Sequence, residues 1–243
     1  MDSSLWLRPA LGFPLTVAAI AFDLDGTLAD TLPDLHESAN RMLGDVGYPS
    51  VPQEKVRRYI GNGVDRLVKR LLHDVLSGEP PDELFNVAAA RFSHHYAEMY
   101  SRASNPYPGV LDTLATMRRR GLLLACVTNK PMRFTAPLLA DLSLTPCLDL
   151  VLAGDSLARK KPDPLPLLHA AEQFGVPPAR LLMVGDSPAD TGAARAAGCP
   201  VFCVPYGYRG SLDVRDLDCD AIVPALQDIL NLIQLPSDGL SET

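Results

Sequence analysis

Residues Val17-Ala18-Ala19-Ile20-Ala21-Phe22-Asp23-Leu24-Asp25-Gly26-Thr27 decide how the rest of the chain is read. The first six are apolar without alternation, the pattern of a strand buried on both faces of a parallel sheet. The run then stops at two carboxylates one residue apart. In an extended chain these project to the same side, and open α/β sheets hold their ligands at the carboxyl ends of strands. Such a pair is tolerated beside a buried strand if one carboxyl is protonated or a cation neutralises both. Gly26 permits a tight turn, and Thr27 offers a hydroxyl and an amide to an anion. A solvated acidic turn is the alternative, and the buried apolar strand in front of it argues against that.

Working outward, the runs 122–127, 181–184 and 201–204 repeat the form of 17–22, with weaker runs at 148–152 and, as an edge, 221–223. Helical patterns at 109–120, 131–142, 164–174 and 188–197 lie between them, three opening with proline and three followed by glycine. Alternating buried strands and helices predict βαβ units, an α/β fold with a parallel sheet covered on both sides. Residues 33–106 break the alternation. They read as four helices (33–46, 52–60, 62–76 and 81–102), closed by Pro106-Tyr107-Pro108-Gly109. The expected organisation is a mobile lead over 1–16, tipped by Asp2, Ser3 and Ser4 and carrying Trp6. An α/β core over 17–32 and 107–235 follows, with an all-helical insertion over 33–106 and a tail over 236–243.

Composition bounds the partners. The chain has 243 residues, 47% apolar and 21% charged, enough for two compact units or for one core with an insertion. Lys and Arg total 22 against 29 Asp and Glu, a net charge of −7, so no cationic field draws in nucleic acid or a membrane surface. Five scattered cysteines with no CxxC pair argue against a disulfide framework or a structural zinc site and fit a cytoplasmic location. The apolar stretch at 11–22 contains Pro14 and no basic cluster precedes it, so it does not read as a signal peptide. No run reaches the roughly 18–20 apolar residues of a membrane span.

Three further segments carry chemistry. Val127-Thr128-Asn129-Lys130 ends a strand with a hydroxyl able to bond a phosphoryl oxygen. In Lys160-Lys161-Pro162-Asp163-Pro164, the proline keeps Lys161 extended before a helix, so that a fixed ammonium can stand against phosphate charge. Val184-Gly185-Asp186-Ser187-Pro188-Ala189-Asp190 is a second acidic strand-end turn, with Asp190 one helical turn further on. His94 and His95 are adjacent and lack the i, i+4 spacing of a helical metal pair.

These four segments, in this order, resemble the haloacid dehalogenase superfamily of aspartate-nucleophile hydrolases. The resemblance spans residues 22–190 and implies a Rossmann-like core whose helical insertion is a cap. At a closer level the chain resembles bacterial phosphoglycolate phosphatases. That likeness rests on 21–28, Ile60-Gly61-Asn62-Gly63, Val127-Thr128-Asn129-Lys130-Pro131, Lys160-Lys161-Pro162, Val184-Gly185-Asp186-Ser187 and Pro205-Tyr206-Gly207-Tyr208. Pro188-Ala189 departs from that group, which more often has a basic residue and an asparagine before the final acid.

The resemblance implies that Asp23 attacks phosphorus, forming an aspartyl-phosphate, while Asp25 serves as acid and then as base. Thr128 and Lys161 would complete the catalytic set. Mg2+ would be held by the Asp23 and Asp186 side chains and the Asp25 carbonyl, with Asp190 orienting a water on the metal. Substrate contacts are expected from Thr27, Asn129 and the loop Gly61, Asn62, Gly63 of a closing cap, with Arg57, Arg58 and Arg66 as nearby cations. Tyr206 and Tyr208 are not expected to be catalytic. The expected partner is a small phosphate ester, with 2-phosphoglycolate leading, acted on by a monomer or homodimer. Alternatives are a phosphatase for another small phosphate of the sugar or N-acetylmuramic acid 6-phosphate type, a phosphosugar mutase, or an inactive binding protein of the same fold.

Overall fold

The structure is a computed structural model and describes residues 5–8 and 12–236. The expected mobile tip, Asp2 to Ser4, and nearly all of the expected tail lie outside the described residues. In chain order come β1 (Trp6–Leu7), β2 (Leu15–Thr16), β3 (Ala19–Phe22) and β4 (Ala29–Asp30). Four helices follow: α1 (Leu32–Asp45), α2 (Gln53–Arg57), α3 (Val64–Leu76) and α4 (Asp82–Met99). Then come β5 (Asn105–Pro106), α5 (Val110–Arg119), β6 (Leu123–Val127), α6 (Met132–Asp141), β7 (Leu150–Leu152), α7 (Leu165–Phe174) and β8 (Leu181–Gly185). The chain closes with α8 (Pro188–Ala197), β9 (Val201–Cys203), β10 (Ala221–Ile222) and β11 (Ile233–Gln234).

The main sheet has seven strands in the order β1-β10-β9-β8-β3-β6-β7, all parallel except β1. Its interior strand β3 is completely buried, and its side chains divide by parity. Ala19 and Ala21 face α7 and α8 through Leu167, Ala170, Ala193 and Ala194. Ile20 and Phe22 face α5 and α6 through Leu114, Met117, Leu138 and Leu139. Each large side chain buried this way contributes about 1.5–3 kcal/mol. Alanine on one face lets α7 and α8 lie close to the strand that carries the acidic turn.

Helices α1 to α4 form a separate apolar cluster built on Leu35, Met42, Val68, Leu71, Phe92 and Tyr96. The chain enters this unit through β4 and leaves it through β5. These two strands pair antiparallel, Ala29 with Pro106 and Asp30 with Asn105, so a two-stranded ribbon carries the helices. Asp34 clamps its base: its carboxylate accepts from the backbone N–H groups of Ala103 and Ser104 and from the Ser104 hydroxyl. The third helix begins at Val64 rather than at the expected residue 62, because Gly61 and Gly63 both have positive φ.

The lead differs from expectation. Trp6 and Leu7 are not a loose arm but an antiparallel edge strand, paired with Ile222 and Ala221. Leu15–Thr16 pairs parallel with Ile233–Gln234. Strands of two residues carry too little local pattern to be read; long-range pairing alone makes them. Arg8 adds an ion pair to Asp218, and its Nε donates to Cys219 O at 3.2 Å.

Candidate active site

Strands β3, β6 and β8 end within one residue of one another, since Phe22 pairs with both Cys126 and Val184 and each neighbour runs one residue further. Asp23, Thr128 and Asp186 therefore emerge side by side from three neighbouring strands. Asp23 N donates to Val184 O at 2.9 Å, which carries the ladder one residue beyond β3. In the turn that follows, Gly26 has φ +88°, and a Cβ there would stand 2.5 Å from Asp186 Oδ2. Conformation and space both require glycine at this point.

Four charged groups meet at the strand ends. Lys161 Nζ lies 2.6 Å from Asp190 Oδ1 and 3.1 Å from Asp23 Oδ1. The other Asp190 oxygen accepts from Asp186 N, Ser187 N and Ser187 Oγ at 3.1, 3.0 and 2.7 Å. Asp190 thus caps α8 and holds the Asp186 turn in shape. Asp186 accepts the backbone N–H of Tyr208 on one oxygen and the Thr27 hydroxyl, at 3.3 Å, on the other.

The carboxylates of Asp23, Asp186 and Asp190 each place an oxygen within 4.8 Å of the others, all buried. Burial pushes Asp23 up to about 6; Asp190 and Asp25 add to the rise, and Lys161 opposes it. Burial likewise raises Asp186 well above the carboxylate range, reinforced by Asp190 and Asp23. Asp23 Oδ1 is buried and makes no well-aligned hydrogen bond; its near neighbour is the Lys161 ammonium at 3.1 Å, which Asp190 shares. Three buried carboxylates against one ammonium, with one Asp23 oxygen that makes no aligned hydrogen bond, fit a cation. The all-oxygen donor set suits a hard divalent ion.

Asp25 faces the other way. Its carboxylate accepts from Thr31 Oγ1 at 2.7 Å and from Lys130 Nζ at 2.8 and 3.1 Å. Lys130 is itself buried, with Nζ 4.7 Å from the centre of the Tyr96 ring. Burial works against its ammonium, but Asp25 and Tyr96 outweigh it and its pKa is raised.

Above the strand ends lies a cavity of about 30 Å³. Its floor is Asp23, Asp25, Thr128, Asn129 and Lys130; its roof is Leu35, Ile60, Gly61, Gly63, Val64 and Leu67 from the helical unit. Asn129 Nδ2 ties floor to roof, donating to Gly61 O at 3.1 Å and to Lys161 O at 2.9 Å. At Gly63 a Cβ would come within 2.9 Å of Lys160 Nζ and 3.1 Å of Asn129 O. Some expected contacts point elsewhere. Thr27 is fully buried and bonded to Asp186, outside the cavity lining. Asn62 accepts from Arg70 at 2.9 Å and is also outside it. Arg57 donates to the carbonyls of Tyr206 and Gly207 at 2.7 and 2.9 Å, while Arg58 and Arg66 are exposed; none of the three lines the cavity. His94, His95 and Glu98 form an exposed cluster in which His95 is bonded to Asp45 at 2.7 Å.

Two residues that sequence reasoning passed over belong to this assembly. One is Lys130, which shares with Lys161 the signal of a lysine followed by proline. The other is Tyr208. Its N–H holds Asp186, and its hydroxyl bonds Asp30 and accepts from the N–H groups of Thr31 and Leu32, at 2.9 and 3.0 Å. One side chain thus spans the acidic cluster and the start of α1. Tyr208→Phe keeps the N–H contact but orphans the buried Thr31 N–H, while Leu32 N–H retains Asp30 Oδ1 at 3.2 Å, at a cost of about 1–3 kcal/mol. We expect a lower urea midpoint with an unchanged m-value; an unchanged midpoint would show that the hydroxyl bonds contribute nothing.

Residues 20–204 match the family model for haloacid dehalogenase-like hydrolases. A protein of Thiobacillus denitrificans named phosphoglycolate phosphatase is 51% identical over 216 residues, 89% of this chain and 95% of that relative. One of Nitrosospira multiformis with the same name is 50% identical over 225 residues, 93% of this chain and 99% of the relative. A crystal structure described as a predicted phosphoglycolate phosphatase from Haemophilus somnus superposes with a TM-score of 0.86 at 36% identity, covering 90% of this chain and 98% of the other. With three strand ends converging on Asp23 and a helical unit roofing them, the chain belongs to the haloacid dehalogenase-like hydrolase family.

Proposed function

We propose that the protein is a cytoplasmic, Mg2+-dependent phosphatase that hydrolyses 2-phosphoglycolate to glycolate and phosphate. The observation that carries this reading is the Asp23 oxygen that makes no aligned hydrogen bond, held beside Lys161 at the floor of a small roofed cavity. The names of the relatives support the substrate.

In this mechanism the Asp23 carboxylate attacks phosphorus, the P–O bond to the leaving group breaks, and an aspartyl-phosphate forms. Asp25 gives a proton to the departing oxygen and then takes one from the water that cleaves the intermediate. The Thr128 hydroxyl receives a phosphoryl oxygen. Lys161, fixed by Asp190, neutralises charge at Asp23. Asp23 and Asp186, with the Asp25 carbonyl, would hold the Mg2+. When bound, the ion supplies the positive charge that lets a carboxylate and a phosphate dianion approach one another. Thr31 sits where the ribbon meets α1 and bonds Asp25, so the position of the cap bears on the placing of the acid.

An initial-rate screen of small phosphomonoesters, with and without Mg2+, tests the reading. Phosphoglycolate is expected to show the highest kcat/KM and to lose turnover in excess chelator. A higher value for hexose or hexosamine phosphates would overturn the substrate, and retained turnover in chelator would overturn the metal.

A further inference from the structure

A substrate with a carboxylate needs a cation to receive it, and the arginines nearest the cavity in sequence are not there. Arg57 is spent on backbone carbonyls. Arg58 lies with Arg209 and Ser211 in an adjoining groove, on the far side of Ile60 and Gly61, and Arg66 in another groove with Lys69 and His73. Among the described residues, the roof of the cavity carries no charged side chain, and Lys130 is the only cationic residue that lines it.

We propose that Lys130 is the specificity-determining residue that receives the substrate's carboxylate, a reading that rests on the phosphoglycolate assignment above. Connectivity favours it. In 2-phosphoglycolate the carboxyl carbon is two covalent bonds from the leaving oxygen. Asp25, which protonates that oxygen, is in contact with Lys130 Nζ at 2.8 Å. A proton donor at the leaving oxygen therefore brings the ammonium within reach of the carboxylate. The ammonium is also fixed in place. It is 2% exposed, and its remaining contact is the face of Tyr96 rather than a second acid. A fixed, dehydrated cation loses little on meeting an anion, and a neutral tail would leave it without that partner. The incoming carboxylate shares Lys130 with Asp25 and loosens the grip of the ammonium on the acid, so recognising the tail also frees the proton donor to turn to the leaving oxygen.

The test compares 2-phosphoglycolate with 2-hydroxyethyl phosphate, which has the same length and no carboxylate. Parent enzyme, Lys130→Met and Lys130→Arg are assayed at fixed Mg2+. Lys130→Met is expected to lower kcat/KM for phosphoglycolate about 10- to 100-fold beyond its effect on the neutral ester, with the excess mostly in KM. Lys130→Arg keeps the charge against Asp25, should fold if the methionine variant does not, and should recover part of the preference. Equal losses on both esters with either variant would overturn the proposal and leave Lys130 as a holder of Asp25 only. A parent enzyme without preference between the esters would instead overturn the substrate assignment, and the role of Lys130 with it.

Discussion

Asp23→Asn is expected to abolish turnover while leaving the metal-free fold as stable as the parent, or more so. Asparagine matches the shape of aspartate, so strand β3 and its neighbours need not move. What disappears is the oxygen nucleophile and one buried negative charge. Losing a catalytic nucleophile costs on the order of 10⁴- to 10⁶-fold in kcat. Burial, Asp190 and Asp25 already disfavour the ionised form of Asp23, so removing the charge relieves repulsion within the acidic cluster when no metal is added. Opposite signs for activity and stability separate a nucleophile from a structural acid. Initial rates with phosphoglycolate and a thermal melt in chelator measure both. More than about 1% residual kcat would exclude Asp23 as nucleophile.

The second large effect concerns Asp186, the metal and pH. Asp23 and Asp186 both have pKa values raised by burial in the metal-free fold. A carboxyl of this kind keeps its proton in the folded state at a pH where the unfolded chain has released it. The folded state therefore binds more protons, and stability falls as pH rises from the unfolded value, 3.8, through the folded one, about 6 for Asp23. Metal-free protein should melt at lower temperature at pH 7.5 than at pH 5. Mg2+ binds the ionised carboxylates, so the rise in Tm it produces should be small at pH 5 and larger at pH 7.5. Asp186→Ala should remove most of that rise and increase the Mg2+ needed for half-maximal activity at least 100-fold, by comparison with the 10- to 100-fold typical of residues one shell further out. Equal Mg2+-induced shifts in parent and variant would exclude Asp186 as a ligand.

Local pattern made the core of this molecule legible. Uninterrupted apolar runs marked β3, β6, β8 and β9, and a break in the alternation marked four consecutive helices. Each is a property of a few adjacent residues, and buried parallel strands show it most plainly. The acidic residues were legible for a related reason: Asp23 and Asp186 stand out because apolar strands lead directly into them, and the parallel register then aligns those strand ends.

What adjacency does not encode was decided by packing. Trp6–Leu7 became an edge strand only because Ala221–Ile222, more than two hundred positions away, offered an open edge. Arg57 and Arg58, a few residues before the roof of the cavity, were turned away from it by the course of the 205–208 turn and by solvent, while Lys130 was folded inward against Asp25. Lys130-Pro131 and Lys161-Pro162 look alike as dipeptides. They part only because one ammonium meets Asp23 and Asp190 and the other meets Asp25 and Tyr96, partners brought from remote segments. By itself the sequence determined which strands are buried and where acids end them. The pairing of each charge was left to tertiary structure, because a long flexible side chain takes its place from the opposite charges and the burial it finds, and those come from elsewhere in the chain.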